Sequence, residues 1–265
     1  MSDVFEGKSC VVTGGTSGIG FAVAEALLKR GALVSAVGFP QASVDAAREK
    51  LAPYENARCA LVDVTDWDAV QGMVDEAVAV CGRLDYLFNN AGMGGTIPFE
   101  QATIEGWRMI IGLNLWGVIH GVQAAFPVML EQGSGHIVNT SSIAGLLPVP
   151  YQAAYCTTKY AIAGMTESLR YEHEYRGIAF STVCPGNVAT PIFGDTAPPP
   201  DAITPEEAAE IILAGVERKE GLIIFPESYR KLYLELTSDQ EKMDAEMRKT
   251  AVERRKAYET GGSYY

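Results

Sequence analysis

Short apolar runs alternate with longer segments whose apolar residues recur at helical spacing. Residues 9–13, 32–37, 57–62, 84–88, 136–140 and 178–184 read as strands, with a short further one at 222–225. Between them, residues 19–30, 41–51, 103–132, 152–175 and 205–216 carry helical periodicity, and Asp66 is placed to cap a helix running to about residue 80. The proline-rich stretch 191–205 reads as a loop rather than a linker, because a helix–strand pair follows it. Nearly all-apolar strands joined by crossover helices predict a parallel sheet covered on both faces. The expected fold is doubly wound α/β, with a mostly parallel sheet of about seven strands. It would occupy residues 1–227 as one domain, followed by a helical tail over 228–265.

Composition then narrows the class. Of 265 residues, 48% are hydrophobic and 20% charged, too apolar for a disordered chain. Asp and Glu number 33 against 21 Lys and Arg, so at net −12 the body repels phosphate backbones and no nucleic-acid partner is expected. The tail differs, with eight basic and seven acidic residues over 228–259. Residues 1–8 lack the apolar stretch of a signal peptide, and no run approaches the roughly 18 apolar residues of a membrane span. Five cysteines, odd in number and without a C-x-x-C pair, fit free thiols in a reducing cytoplasm. His120, His136 and His173 lack zinc-ligand spacing, so no metal is expected.

Two local patterns carry chemistry. The first strand runs into Thr13-Gly14-Gly15-Thr16-Ser17-Gly18-Ile19-Gly20, which opens the first helix. Glycines there let the backbone approach a pyrophosphate, and the helix N-terminus attracts its charge. An ordinary glycine-rich turn looks the same locally, and the spacing Gly14-x-x-x-Gly18-x-Gly20 is not the common G-x-G-x-x-G. The second pattern is Tyr155 with Lys159, four apart on a predicted helix and therefore on one face. A phenol with a pKa near 10 is a poor base, but nearby positive charge favours phenolate; a lowering of about three units, roughly 4 kcal/mol, would suit proton transfer near neutrality. Taken alone, a solvated lysine one turn from a packed tyrosine is the ordinary reading.

T-G-x-x-x-G-I-G at residues 13–20 resembles the short single-domain branch of the short-chain dehydrogenase/reductase family. Further motifs follow in that family's order. Asp63-Val64 ends the third strand, Asn89-Asn90-Ala91-Gly92 ends the fourth, and Asn114 lies on the long helix. Ser142 follows the fifth strand, Tyr155-x-x-x-Lys159 opens the next helix, and Pro185-Gly186 with Thr190 follows the sixth. The resemblance spans roughly residues 7–226. It implies a Rossmann-type fold and NAD(P)-dependent interconversion of a secondary alcohol and a ketone. Tyr155 would be the general acid/base, Lys159 would tune it and hold the nicotinamide ribose, and Ser142 would hold the substrate oxygen. Asn114 would steady a helix distortion and a relay water. Ser142 is preferred to Ser141 because the family's serine lies thirteen residues before its tyrosine. The cofactor would lie against Gly14, Thr16, Ser17, Gly18, Ile19 and Gly20, then Gly38, Phe39, Asp63 and Val64. It would also meet Asn90, Ala91, Gly92, Tyr155, Lys159, Pro185, Gly186, Val188 and Thr190.

In that family an acid at the end of the second strand selects NAD and a basic residue nearby selects NADP. Gly38, Phe39 and Ser17 fit neither pattern, which leaves NAD and NADP both open. Phe39 either lies against the adenine or simply packs. Gly38→Asp is expected to bias the chain towards NAD. The substrate would sit beside Ser142 and Tyr155, walled by Met93 and residues 94–96, Ile143, residues 146–151, and the loop 187–201 with Ile192 and Phe193. These segments contain no Arg or Lys, which favours an uncharged, hydrophobic alcohol or ketone; plain core packing would make the loop equally apolar. In the tail, Leu232, Leu236, Met243 and Met247 keep helical spacing, as solvated amphipathic helices packed on the body or as a partner-binding helix would. Trp116, Ile119, Ala161 and Met165 fit either burial within one chain or the helix pairing of a homodimer or homotetramer. Two alternatives are weaker. A 3-oxoacyl thioester reductase lacks its basic patch, and a non-catalytic nicotinamide sensor has no need of Asn114, Ser142, Tyr155 and Lys159 together.

Overall fold

The computed structural model describes residues 3–194 and 197–260; positions 195–196 of the predicted loop and 261–265 of the predicted tail lie outside them. Strands β1 (Ser9–Thr13), β2 (Leu33–Gly38), β3 (Ala57–Leu61), β4 (Tyr86–Asn89), β5 (Gly135–Thr140), β6 (Ile178–Pro185) and β7 (Leu222–Phe225) form one sheet. Its order is β3-β2-β1-β4-β5-β6-β7 and every pairing is parallel. Alternate residues of β1 face opposite layers, as the pleat requires. Cys10 and Val12 join the core beneath α1 (Gly18–Lys29) and α7 (Pro205–Glu217), while Val11 joins the core beneath α3 (Trp67–Cys81). The remaining helices are α2 (Gln41–Leu51), α4 (Ile104–Ile111), α5 (Gly117–Gln132), α6 (Ala153–His173), α8 (Glu227–Thr237) and α9 (Gln240–Glu259).

Two elements depart from the periodicity. The predicted helix over 103–132 is α4 and α5 joined by a π-helical turn, Gly112–Trp116. Its length and hydropathy would let residues 104–132 cross a membrane. Burial of Val118, Val122, Ala125 and Met129 in the core accounts for that apolarity instead. The fourth strand starts at Tyr86 rather than 84. The Gln132 side chain takes both backbone groups of Leu84, accepting from its N–H at 2.9 Å and donating to its carbonyl at 2.8 Å, and the Asp85 carboxylate accepts from Ser9 N–H at 3.0 Å. Asp66 caps α3 as expected, accepting from Asp68 and Ala69 N–H.

His136, 4% exposed on β5, is held neutral, its pKa pushed down to about 3 by burial. Ser181 Oγ donates to the Glu220 carbonyl, so His136 Nε2–H is the donor in its 2.8 Å bond to Ser181. The unfolded chain takes up a proton below about pH 6.5 that the fold refuses, so stability falls as pH drops by about 1.4 kcal/mol per unit. Wild type is therefore expected to lose roughly 2–3 kcal/mol more than His136→Gln between pH 6.5 and 4.5. Melting curves of the two proteins across that range check the difference.

Candidate active site

β1 and β4 lie side by side but send their chains in opposite directions, and a crevice opens beyond their carboxyl ends. A cleft of about 630 Å³ fills it, walled by the loops after β1, β4, β5 and β6. At one end lies the N-terminus of α1. Ser17, its N-cap, makes no side-chain cap bond and the first turn holds no acid, so the positive end of the helix dipole is left to face the cleft. Gly14, Ser17, Gly18 and Ile19 line this end. Two of the glycines are required by space. Gly14 sits at φ +63°, where a Cβ would stand 2.9 Å from Ala91 Cα. A Cβ on Gly20 would come within 2.8 Å of the Gly14 carbonyl carbon, which explains why this buried residue supports the loop without lining the cleft. The cradle thus fits a pyrophosphate.

At the other end, α6 brings Tyr155 and Lys159 to the cleft, 6% and 4% exposed. Lys159 Nζ donates to the Thr140 carbonyl at 2.9 Å and lies 5.6 Å from the centroid of the Tyr155 ring. Burial lowers its pKa to about 8. Asn114 sits in the π-helical turn, fully buried, and clasps Met93 twice: Oδ1 accepts from its N–H at 2.8 Å and Nδ2 donates to its carbonyl at 2.9 Å. Gly92 is where these groups converge, since a Cβ there would lie 3.1 Å from Asn114 Oδ1 and 3.7 Å from Lys159 Nζ. Among the described lining residues Lys159 is the sole charged side chain.

Of the other predicted residues, Asn90, Ala91, Gly92, Met93, Pro185, Thr190, Ile192 and Phe193 also line the cleft. Ser142, Ile143, Gly186 and Val188 are not among the residues that line it, though each stands close in the chain to Ser141, Pro185 or Thr190, which do. Ser141 lines it instead, but donates its hydroxyl to the Lys159 carbonyl at 2.7 Å. Ser142 Oγ accepts from Ala144 N–H at 3.2 Å and reaches the Pro185 carbonyl only at 3.5 Å. Thr16, Gly38, Phe39, Asp63 and Val64 lie outside the lining, towards the end of β2. Phe39 is 64% exposed, and Asp63 accepts from Thr65 N–H and Oγ1. Gly38→Asp is not the clean test the sequence suggests, because a Cβ on Gly38 would strike the Thr16 side chain, 2.8 Å from its Cγ2. Sequence reasoning left Thr13 without a role. Its Oγ1 accepts from Asn90 and Ala91 N–H at 3.0 and 3.1 Å, fastening the end of β4 to β1.

Residues 8–200 match the family model of the short chain dehydrogenases. The chain belongs to that family. This dehydrogenase is 34% identical over 192 residues to 3beta-hydroxysteroid dehydrogenase 2 of Eggerthella lenta, covering 71% of the chain and 74% of that protein. It is 32% identical over 210 residues to levodione reductase of Leifsonia aquatica, covering 78% and 79%. Among solved structures, a short-chain dehydrogenase/reductase from Burkholderia phymatum in complex with NAD superposes with a TM-score of 0.82 at 26% identity. That match covers 91% of this chain and 96% of the other. The protein is accordingly an oxidoreductase of CH–OH donors that uses NAD(P), built on a Rossmann-type sheet.

Proposed function

We propose that this dehydrogenase interconverts an uncharged, hydrophobic secondary alcohol and its ketone, with Tyr155 as the group that moves the proton. The placing of Tyr155 and Lys159 in one cleft with the glycine-rich loop, with Lys159 and Asn114 both beside Gly92, carries the reading. When bound, the nicotinamide supplies or accepts the hydride. Tyr155 gives its Oη proton to the ketone oxygen in reduction and takes one from the alcohol in oxidation. Lys159, held by Thr140, keeps a cation near the phenol and favours its ionised form. Ser142, whose own proton is held only by a long contact, turns its hydroxyl to the substrate oxygen. Asn114 fixes the backbone of Met93 and with it the wall on the substrate side.

The same reading sets the adenosine end against Thr16, Gly38, Phe39, Asp63 and Val64, and the nicotinamide end against Asn90, Gly186, Val188 and Thr190. A single charged side chain among the described lining residues leaves nothing to clamp a carboxylate or phosphate, which favours an uncharged substrate. The similar proteins named for a hydroxysteroid and for levodione are of this kind. Two or four copies would pair through the long helices, where Trp116 stands 52% exposed, in a cytoplasm that suits five free cysteines.

Titrating the protein with NADH and with NADPH, followed by the fluorescence of the reduced nicotinamide, tests the reading. Saturable binding of at least one is expected. The bound cofactor should then reduce uncharged cyclic ketones at least tenfold faster, by kcat/KM, than ketones bearing a carboxylate. A folded protein that binds neither nucleotide, or prefers the acids, overturns it.

A further inference from the structure

The C-terminal arm formed by α8 and α9 lies beyond the residues matched by the family model, yet it is bonded to each loop that walls the substrate end of the cleft. α9 rests on the body through a half-buried stripe of Met243, Met247, Ala251, Arg254 and Ala257, and none of its residues is fully buried. At its far end Arg254 Nη1 donates to the Pro150 carbonyl at 3.1 Å, and Tyr258 Oη donates to Gln101 Oε1. These two anchor points belong to the loops after β5 and β4, and those loops are tied to each other. Ile97 N–H donates to the Tyr151 carbonyl at 2.8 Å, and Gln152 Nε2 donates to Thr96 Oγ1 at 2.9 Å. Tyr151, beside the Arg254 anchor, stands at φ +69°, a conformation that a non-glycine residue keeps only where its surroundings impose it. The Tyr258 ring lies 6.5 Å from the Tyr151 ring, centroid to centroid.

α8 holds the third wall. Tyr229 packs beneath Gly186, where a Cβ would strike the ring, 2.6 Å from its Cε2. Its Oη accepts from Asn187 Nδ2 at 2.7 Å and donates to Asp201 Oδ2 at 3.2 Å. One tyrosine therefore pins both ends of the loop that carries Ile192 and Phe193 into the cleft. The ion pair of Lys242 with Glu235, at 3.2 Å, joins α8 to α9.

We propose that the arm is a specificity-determining part of the substrate site, with Tyr229, Arg254 and Tyr258 as positioning residues. The inference rests on the reading of the cleft given under Proposed function. The Arg254 and Tyr258 bonds run to residues 150 and 101, not to residues 13–20 or to the positions set against the nicotinamide, so these two shape the substrate wall and leave cofactor affinity alone. Exposed hydrogen bonds are individually modest, and several acting on one wall are what give the effect its size.

The test compares full-length wild type with the double variant Arg254→Ala/Tyr258→Phe and with Arg254→Lys, which keeps a donor for Pro150. Amide hydrogen exchange is followed over residues 95–102, 149–153 and 13–20, alongside NADH affinity and steady-state kinetics on the best ketone from the screen. In the double variant, exchange over 95–102 and 149–153 should rise at least threefold and KM three- to tenfold. Exchange over 13–20, kcat and NADH affinity should stay within twofold, and Arg254→Lys should remain close to wild type throughout. Unchanged exchange in the two loops overturns the proposal, and so does faster exchange with an unchanged KM. A wild type that binds NADH but reduces no ketone refutes the ketone reading instead, and the exchange measurement then decides the bracing by itself.

Discussion

Replacing Tyr155 by phenylalanine is expected to lower kcat by a hundredfold to ten-thousandfold while NADH still binds within about twofold of wild type. The ring is 6% exposed and packs with Ile110 and Ala144, contacts that phenylalanine keeps. What is lost is one hydroxyl at the cleft, so folding stability should change by no more than about 1–2 kcal/mol. The rate loss corresponds to roughly 3–5 kcal/mol of transition-state stabilisation. Stopped-flow hydride transfer and a fluorescence titration on the same preparation separate the two effects. A variant that keeps the full rate removes Tyr155 from the proton transfer.

Lys159→Met should likewise abolish turnover, but with the opposite sign on stability. The ordinary lysine pKa is 10.5 and in the fold it is about 8, because burial disfavours the ammonium. Below pH 8 both folded and unfolded chains carry the proton, and the fold bears the full cost of burying it, on the order of 3 kcal/mol. Between pH 8 and 10.5 the folded lysine sheds its proton first and the cost fades; above that range it is gone. The bond to the Thr140 carbonyl offsets part of it. The variant without cofactor is therefore expected to be more stable than wild type by roughly 1–3 kcal/mol at pH 7 and equal to it near pH 10. Thermal melts at the two pH values check this. A variant less stable at pH 7 would mean that the carbonyl bond outweighs the burial.

The sheet was legible because its strands are short, almost wholly apolar and separated by helical periods, so β1, α2 and β7 fall where the pattern puts them. Periodicity could not show the break at residues 112–116. A π-helical turn keeps helical composition and shifts only the phase, and resemblance alone pointed to a distortion at Asn114. β4 starts after Leu84 because the Gln132 side chain takes both backbone groups of that residue, which no hydropathy pattern records. At the site, motif spacing placed Tyr155 and Lys159 on one helix face. It could not reveal that a backbone carbonyl, Thr140, holds the lysine, since carbonyls have no sequence signature. Nor could it show that Thr16 already fills the space beside Gly38. The arm was read as an amphipathic appendage because Arg254 and Pro150 are 104 residues apart and their bond is local to neither.

The pairing of β1 with β4, from Cys10 opposite Tyr86 to Thr13 opposite Asn89, is a seam between the two halves of the sheet. The glycine-rich loop after β1 belongs to the first, while Tyr155, Lys159 and the rest of the cleft lining belong to the second. What must match across the join is more than that four-residue register: the Thr13 hydroxyl holds Asn90 and Ala91, Asp85 accepts from Ser9 N–H, α1 packs on α7, and α3 packs on α5, where His120 Nδ1 meets the Val64 carbonyl at 2.9 Å. The arm and the loop positions it touches lie wholly on one side of this seam, so recasting them leaves the register and the packing across it unaltered.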